Sequence, residues 1–341
     1  MSLQIEEDIN LAKYTTLQTG GPARYFVRVQ NVVEVKEAAL FAQQKALPLL
    51  CLGGGSNVLI DDRGFPGLVV LNELKGREYL EYEEDITLIC GSGEVLDEVI
   101  AETVTKGYWG MENLSAIPGT VGATPVQNVG AYGVEVSSLI SKVETVNLEN
   151  GEEKIFANNE CNFGYRDSFF KSIEGKKYFI TKVHFKLKEK SAPQISYADL
   201  QKFFSDSTPT LREVREAVIQ VRSQKFPDWK KVGTAGSFFK NPFVTDTEAK
   251  RLQTLYPDLP VYQLGSGIVK IPLGYVLDKL CDLKGYQVGP VGLYQAQALV
   301  LVNYGGATSD EIKNFAKEIA EKVFTKTNIT ITPEVTYIST E

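Results

Sequence analysis

The chain has 341 residues with 36 Lys+Arg against 43 Asp+Glu, a net charge of −7 and a single histidine. That length exceeds a usual single core and implies two or three domains, while the negative balance opposes general binding to nucleic acid or anionic lipid, so any anionic ligand must be held by local groups. A Ser-His-Asp triad or a histidine-built metal site would rest on that one imidazole, which argues against hydrolase and zinc-enzyme readings.

In chain order, MSLQIEEDINLAKYTT is acidic and lacks an apolar signal core, and no run approaches the ~20 apolar residues of a membrane span. The stretch NVVEVKEAALFAQQKALPLLCL predicts a helix with Val32, Val35, Ala38, Ala39 and Ala42 inward, then a short strand ending at a glycine turn. Residues 86–90 predict a strand, and VLDEVIAETVTKG a helix whose apolar face is Val95, Leu96, Val99, Ile100 and Val104, with Gly107 as its stop. Asn150-Gly151 predicts a hairpin. In YFITKVHFKL, Phe179, Val183, Phe185 and Leu187 share one parity and Lys182, His184 and Lys186 the other; this predicts a half-buried strand with His184 on its solvent face.

Thr210 and Glu213 form a capping box for LREVREAVIQVRSQKF, with Val214, Ala217, Val218 and Val221 inward and Pro227 forcing the end. EIKNFAKEIAEKVF repeats the pattern with Ile312, Phe315, Ala316, Ile319, Ala320 and Val323, capped by Thr308 and Glu311. NITITPEVTYI is expected as a closing strand. Cys51, Cys90, Cys161 and Cys281 lie far apart without metal-ligand spacing, which fits a reducing cytoplasm.

Three glycine-rich stretches carry most of the chemistry. In LGGGSNVLI, Gly53, Gly54 and Gly55 can gather backbone N–H groups into a nest for a pyrophosphate, with Ser56 and Asn57 adding side-chain hydrogen bonds. An ordinary tight turn explains three glycines about as well. The stretch is not a Rossmann fingerprint, because Val58 stands where the last glycine would be and NVLIDD looks extended. ENLSAIPGTVGATPVQNVGAYGVE places Gly119, Gly122, Gly130 and Gly133 near Gln127 and Asn128. It cannot be a regular helix, and it suits close approach of a flat heteroaromatic ligand. GTAGSFFKNP sets Ser237 beside two phenylalanines; taken alone, it reads as a turn hydroxyl.

Together, GGGSN, IPGTVGATPVQNVGAYG, FGYRDSFFK, AGSFFKNP and PEV resemble, in order and across almost the whole chain, the UDP-N-acetylenolpyruvoylglucosamine reductases, FAD enzymes of peptidoglycan precursor synthesis in cell-wall biogenesis. Tyr197 in SYADL is similar to the tyrosine loop of the family's longer subgroup. The resemblance implies an α+β fold: a two-part FAD-binding region of the vanillyl-alcohol-oxidase/p-cresol-methylhydroxylase type, residues 1–73 with 327–341 and 74–222, plus a C-terminal α+β substrate-binding domain at 223–326. It implies bound FAD, NADPH as hydride donor, and reduction of the enolpyruvyl group of UDP-N-acetylglucosamine enolpyruvate to a lactyl ether. A cytoplasmic monomer is expected, with no nucleic acid, membrane or metal partner.

Residue by residue, the resemblance makes Ser237 the general acid, Arg166 the group that takes the substrate carboxylate, and Glu334 a carboxylate that polarises the developing enol. By itself Arg166 beside Asp167 would read as a surface ion pair, and Glu334 as a strand-edge acid sharing a face with Thr336 and Ile338. Flavin contacts carry over to Gly53, Gly54, Gly55, Ser56, Asn57, Ser115, Ile117, Gly119, Gly122, Ala123, Gln127, Asn128, Gly130 and Tyr132. Substrate contacts carry over to Tyr165, Tyr197, Lys225, Asn241 and Gln297. One departure is Thr336, where the family often has arginine. Two other readings stand beside this one: a sugar or alcohol oxidase on the same scaffold, which has no need of AGSFFKNP with PEV, and a nucleotide-sugar-binding regulator without turnover, which has no need of Arg166, Ser237 and Glu334 together.

Overall fold

The structure, a computed structural model, describes residues 3–204 and 208–339. The chain divides into two compact units, one of Met1–Ile9, Ala23–Gly55 and Phe65–Ser223, the other of Asn10–Pro22, Ser56–Gly64 and Gln224–Glu341.

In the first unit, a four-stranded sheet runs in the order Ile5–Asn10, Pro22–Val29, Phe65–Asn72, Leu49–Leu52, and the last three strands are parallel. The parallel crossover is made by the helix Val32–Gln44, which Asn31 caps by accepting the Glu34 N–H at 3.0 Å. Of the five residues expected on its inward face, Val35, Ala38, Ala39 and Ala42 are buried, whereas Val32 in the first turn is half-buried. Val35, Ala38 and Ala42 join Val27, Val29, Leu68 and Val70 in one core.

The same unit holds a five-stranded antiparallel sheet, ordered Glu153–Ala157, Ile140–Asn147, Tyr178–Lys188, Asp85–Gly91, Arg77–Tyr82. The first two strands form the hairpin expected at Asn150-Gly151, where Gly151 takes φ +73°. One face buries Leu88, Cys90, Val143, Val183 and Phe185 with Leu96, Val99 and Ile100 of the helix Leu96–Lys106. Gly107 ends that helix in the left-handed conformation at φ +83°. Val95 does not join the apolar face; it is the N-cap residue and is 37% exposed.

His184 corrects the sequence reading. It lies on the strand Tyr178–Lys188 with the expected parity, opposite Lys142 on one side and Ile89 on the other, yet it is only 2% exposed. The strand is central in its sheet, so neighbours flank the ring on both sides, and Glu144 Oε1 sits 2.6 Å from Nε2. Alternation sorts side chains to faces; it does not say whether a face is open.

The second unit is built on the antiparallel sheet Gly233–Ser237, Val300–Asn303, Val291–Leu293, Gln287–Val288. The helix Ser309–Thr327, closed at its start by the Thr308/Glu311 capping box, packs Ile312, Phe315, Ile319 and Val323 into a core with Leu277, Leu293 and Leu301. The expected closing strand is much shorter than NITITPEVTYI: only Thr336–Ile338 is regular, paired in parallel with Val58–Ile60. Pro333, which has no N–H to donate, makes just an isolated bridge to Phe239. Glu334 therefore precedes the strand and does not share a strand face with Thr336 and Ile338.

Candidate active site

In the first unit, two glycine-rich segments meet. A Cβ on Gly53 would lie 2.4 Å from Thr120 Oγ1, and one on Gly54 would lie 2.8 Å from the Gly119 Cα. Both contacts are shorter than real Cβ atoms tolerate, so glycine at 53 and 54 is what allows the two turns to touch. Gly55 follows at φ +59° and Gly119 at φ +122°. Gly122 makes a third close approach, its missing Cβ falling 2.7 Å from that of Ser92. The segment beyond Ser115 is otherwise carried by short turns at Glu112–Leu114 and Val121–Ala123, and by backbone bonds from Leu96 N to Gly119 O and Val121 N to Glu94 O.

Thr120, which the sequence reading did not single out, lies in this contact. Its hydroxyl is buried and, among the described residues, has no hydrogen-bond partner. Such a group is costly unless something completes it. An unsatisfied hydroxyl between two glycine turns fits an adjacent polar cofactor group such as a diphosphate. Its only signal in sequence is its place between Gly119 and Val121.

Several expected flavin residues hold the loop itself. Ser115 is fully buried and donates to Glu112 O at 2.5 Å. Asn128, at φ +45° and 1% exposed, donates to Glu135 Oε2 and Gly164 O and accepts the Ser137 N–H. The Asn128 side chain is thus engaged at both ends by the protein frame and does not present a free edge to a ring. Tyr132, also at positive φ, is buried, and that burial pushes its hydroxyl up to about 12. Ile117 and Gln127 are half-buried, and Ala123 is exposed.

Arg166 is brought to this same loop. Its Nη2 donates to Gly130 O at 2.7 Å, its guanidinium lies 5.6 Å from the Tyr165 ring centroid, and its backbone takes φ +53°. Lys171 Nζ fixes the Arg166 carbonyl at 2.7 Å. A left-handed arginine costs free energy, and both its guanidinium and its carbonyl are held here by hydrogen bonds. Tyr197 stacks edge-on against Tyr132 at 5.2 Å and remains 44% exposed.

In the second unit, Ser237 ends the strand Gly233–Ser237. The register against Val300–Asn303 shifts between Thr234 and Ser237, with Gly236 at φ +75°. This bulge re-aims the serine relative to simple alternation. It is pinned by Thr234 Oγ1, which donates to Leu301 O and accepts from Gly236 N. Phe238 and Phe239 behind it are core residues, 0% and 1% exposed.

The Glu334 N–H donates to Phe238 O at 2.8 Å, and Lys240 N to Thr332 O, so Glu334 runs beside the serine segment. Asn57 Nδ2 donates to the Glu334 carbonyl at 3.2 Å, and Thr336 N to the Asn57 carbonyl, which ties the end of GGGSN to the same place. Asn241 Oδ1 accepts the Leu273 N–H, and Gln297 Oε1 stands 3.0 Å from where a Gly274 Cβ would be. Ser56 and Lys225 are half-buried in this unit. The second unit thus gathers Asn57, Ser237 and Glu334 along one run of backbone bonds.

Residues 23–156 match an FAD binding domain, and residues 227–338 match the UDP-N-acetylenolpyruvoylglucosamine reductase C-terminal domain. Curated proteins named UDP-N-acetylenolpyruvoylglucosamine reductase are similar over most of the chain. The one from Flavobacterium johnsoniae is 37% identical, covering 98% of this chain and 100% of its own, and the one from Porphyromonas gingivalis is 44% identical, covering 84% and 85%. A crystal structure of the reductase from Thermus caldophilus shares the fold with a TM-score of 0.69 at 24% identity, over 99% of this chain and 100% of its own. With the flavin-domain and C-terminal-domain matches in one chain and relatives aligned almost end to end, the chain belongs to the UDP-N-acetylenolpyruvoylglucosamine reductase family.

Proposed function

We propose that this chain is an NADPH-dependent FAD enzyme that reduces the enolpyruvyl group of UDP-N-acetylglucosamine enolpyruvate to a lactyl ether, giving UDP-N-acetylmuramate for peptidoglycan. The observation that carries this reading is the flavin-domain match and the reductase C-terminal match in one chain, and the glycine contact of Gly53 and Gly54 on Gly119 and Thr120 supports a cofactor site in the first unit. FAD, which Gly53, Gly54 and Thr120 would help to hold, would supply the hydride-transfer chemistry between NADPH and the enolpyruvyl double bond.

The chain's own residues manage position, charge and the proton. Ser237 gives a proton to the carbon bearing the ether oxygen and carboxylate, so that hydride and proton together saturate the double bond. A serine hydroxyl is a weak acid, and its bulge-fixed position makes it a better donor than solvent. Arg166 takes the substrate carboxylate through its planar fork, and Glu334 polarises the enol. Lys225 offers a point charge to the diphosphate, while Tyr165, Tyr197, Asn241 and Gln297 offer hydrogen bonds to the nucleotide sugar.

We also propose the division into 1–73 with 327–341, 74–222 and 223–326; the pairing of Thr336–Ile338 with Val58–Ile60 supports joining 327–341 to the first part, although by compactness both strands fall in one unit with Gln224–Glu341. The enzyme is proposed to work as a cytoplasmic monomer. The four free cysteines suit a reducing compartment, and no helix among the described residues is long and apolar enough to cross a membrane.

A visible spectrum of the purified protein tests this. Oxidised flavin bands should bleach with anaerobic NADPH and return with the enolpyruvyl sugar. Bands that return only with oxygen would replace the substrate assignment with the oxidase reading, and a protein that cannot be loaded with FAD would overturn the whole.

A further inference from the structure

Ala116 is the residue in the Ser115–Thr120 loop whose backbone most needs explaining. It has a Cβ, yet it takes φ +59°, in the region that favours glycine. Both of its peptide groups are gripped by charged side chains of the first unit. Its N–H donates to Asp97 Oδ1 at 2.6 Å, and its carbonyl accepts from Arg222 Nε at 3.2 Å. Asp97 is itself held bidentately, Oδ1 and Oδ2 accepting from Arg215 Nη1 and Nη2 at 2.7 and 3.1 Å.

The geometry has a simple origin. Asp97 stands in the first turn of the helix Leu96–Lys106, beside the point where Leu96 N bonds the Gly119 carbonyl. Arg215 and Arg222 are seven residues apart on the helix Leu211–Lys225, hence on one face of it. That helix is seated by Val214, Ala217, Val218 and Val221 around Leu200 and Tyr132. Two helices thus present one carboxylate and one guanidinium group to a single strained residue, with Arg215 orienting the carboxylate, and three residues later the loop reaches the glycine contact with Gly54.

We propose that Asp97, oriented by Arg215, is a positioning residue that holds Ala116 in its left-handed conformation and thereby sets the Ser115–Thr120 loop against Gly53 and Gly54. This rests on the flavin reading above, and it assigns to Asp97 no contact with the cofactor. Neutralising the strain at 116 by another route should make Asp97 dispensable; a mere bridge between two helices would not behave so.

The experiment uses the FAD-loaded enzyme and reads flavin release on dilution by recovery of free-flavin fluorescence, alongside thermal melting. Asp97→Ala should raise flavin release by roughly 5- to 100-fold, the span of a backbone strain left unsupported. Asp97→Asn, which keeps an acceptor oxygen for the Ala116 N–H, should raise it less, and it carries the comparison if Asp97→Ala does not fold. Adding Ala116→Gly to either variant should recover most of the flavin retention, because glycine adopts the same φ without the helix-borne grip, while the melting loss from the broken Asp97–Arg215 pair stays. Unchanged flavin release in the folded Asp97 variants, or a loss that Ala116→Gly does not relieve, overturns the proposal. A wild-type protein that cannot be loaded with FAD overturns the flavin reading with it, and that outcome is distinct because it precedes any substitution.

Discussion

The glycine contact in the first unit and the serine segment in the second are built by opposite means. At Gly53, Gly54 and Gly122 there is no room for a methyl group, and the shape is made by backbone pressed on backbone and on small side chains. At Gly236 nothing lies within 4 Å of a built Cβ; what is demanded there is φ +75°, so that the next side chain, Ser237, points where simple alternation would not send it. On the proposed function, the first region would meet its ligand through surface shape and N–H groups, the second through the aim of individual side chains. Substitutions should therefore damage cofactor retention in one and the chemical step in the other.

The largest effect should come from Ser237→Ala. Stopped-flow traces are expected to show flavin reduction by NADPH near the wild-type rate, with reoxidation by the enolpyruvyl sugar slowed by roughly 10²–10⁴, the share of a positioned general acid. Equal slowing of both half-reactions would make the serine structural and erase the contrast. Next in size, Lys225→Ala should weaken substrate binding by about 10- to 100-fold, the worth of a hydrogen bond to a charged group, and leave flavin reduction alone. An unchanged substrate affinity would remove Lys225 from the diphosphate.

A pair of glycine substitutions addresses the comparison directly. Gly54→Ala should release flavin by forcing about 1–3 kcal/mol of overpacking onto the Gly119 backbone. Gly236→Ala should cost about 1 kcal/mol of stability, keep its flavin and lose turnover. Flavin release by Gly236→Ala matching that of Gly54→Ala would mean that the two regions are not separable in this way.

The smallest effect concerns His184. Its burial holds the imidazole below the ordinary value, outweighing the Glu144 carboxylate beside it. The unfolded chain then takes up the proton first, and stability should fall as pH drops below about 6.5, flattening again below the folded-state pKa. His184→Gln should make melting temperature less sensitive to pH across that window. An unaltered acid slope would place the titrating group elsewhere.

Much of the fold could be read from local chemistry. The helices at Val32–Gln44, Leu211–Lys225 and Ser309–Thr327 carry caps and apolar faces that act over a few residues, and the Asn150-Gly151 turn fixes its own hairpin. The site was legible as glycine density and as motifs, but the task of each residue was not. Asn128 and Ser115 have the right chemistry for a ligand, and the structure turns their side chains onto the loop frame. Asp97 and Arg222 give no local signal, and Thr120 only its place beside Gly119, because their surroundings depend on contacts between elements far apart in sequence. His184 and Glu334 show the same limit: strand parity is local, while burial and strand length are set by neighbours.

The parallel pairing of Thr336–Ile338 with Val58–Ile60 has a consequence for how the protein is made. Residues 10–22 and 56–64 leave the ribosome well before the remaining part of their unit, Gln224 onward, is synthesised. The first unit has its segments in hand once Ser223 has emerged, whereas the strand Val58–Ile60 waits for a partner almost 280 residues downstream. Long-range parallel pairing is slow, and an unpaired edge is an invitation to aggregate during the wait. Synthesis of Glu334 thus sets the earliest moment at which Asn57 and Glu334 can meet, and the serine segment gains its setting only after that.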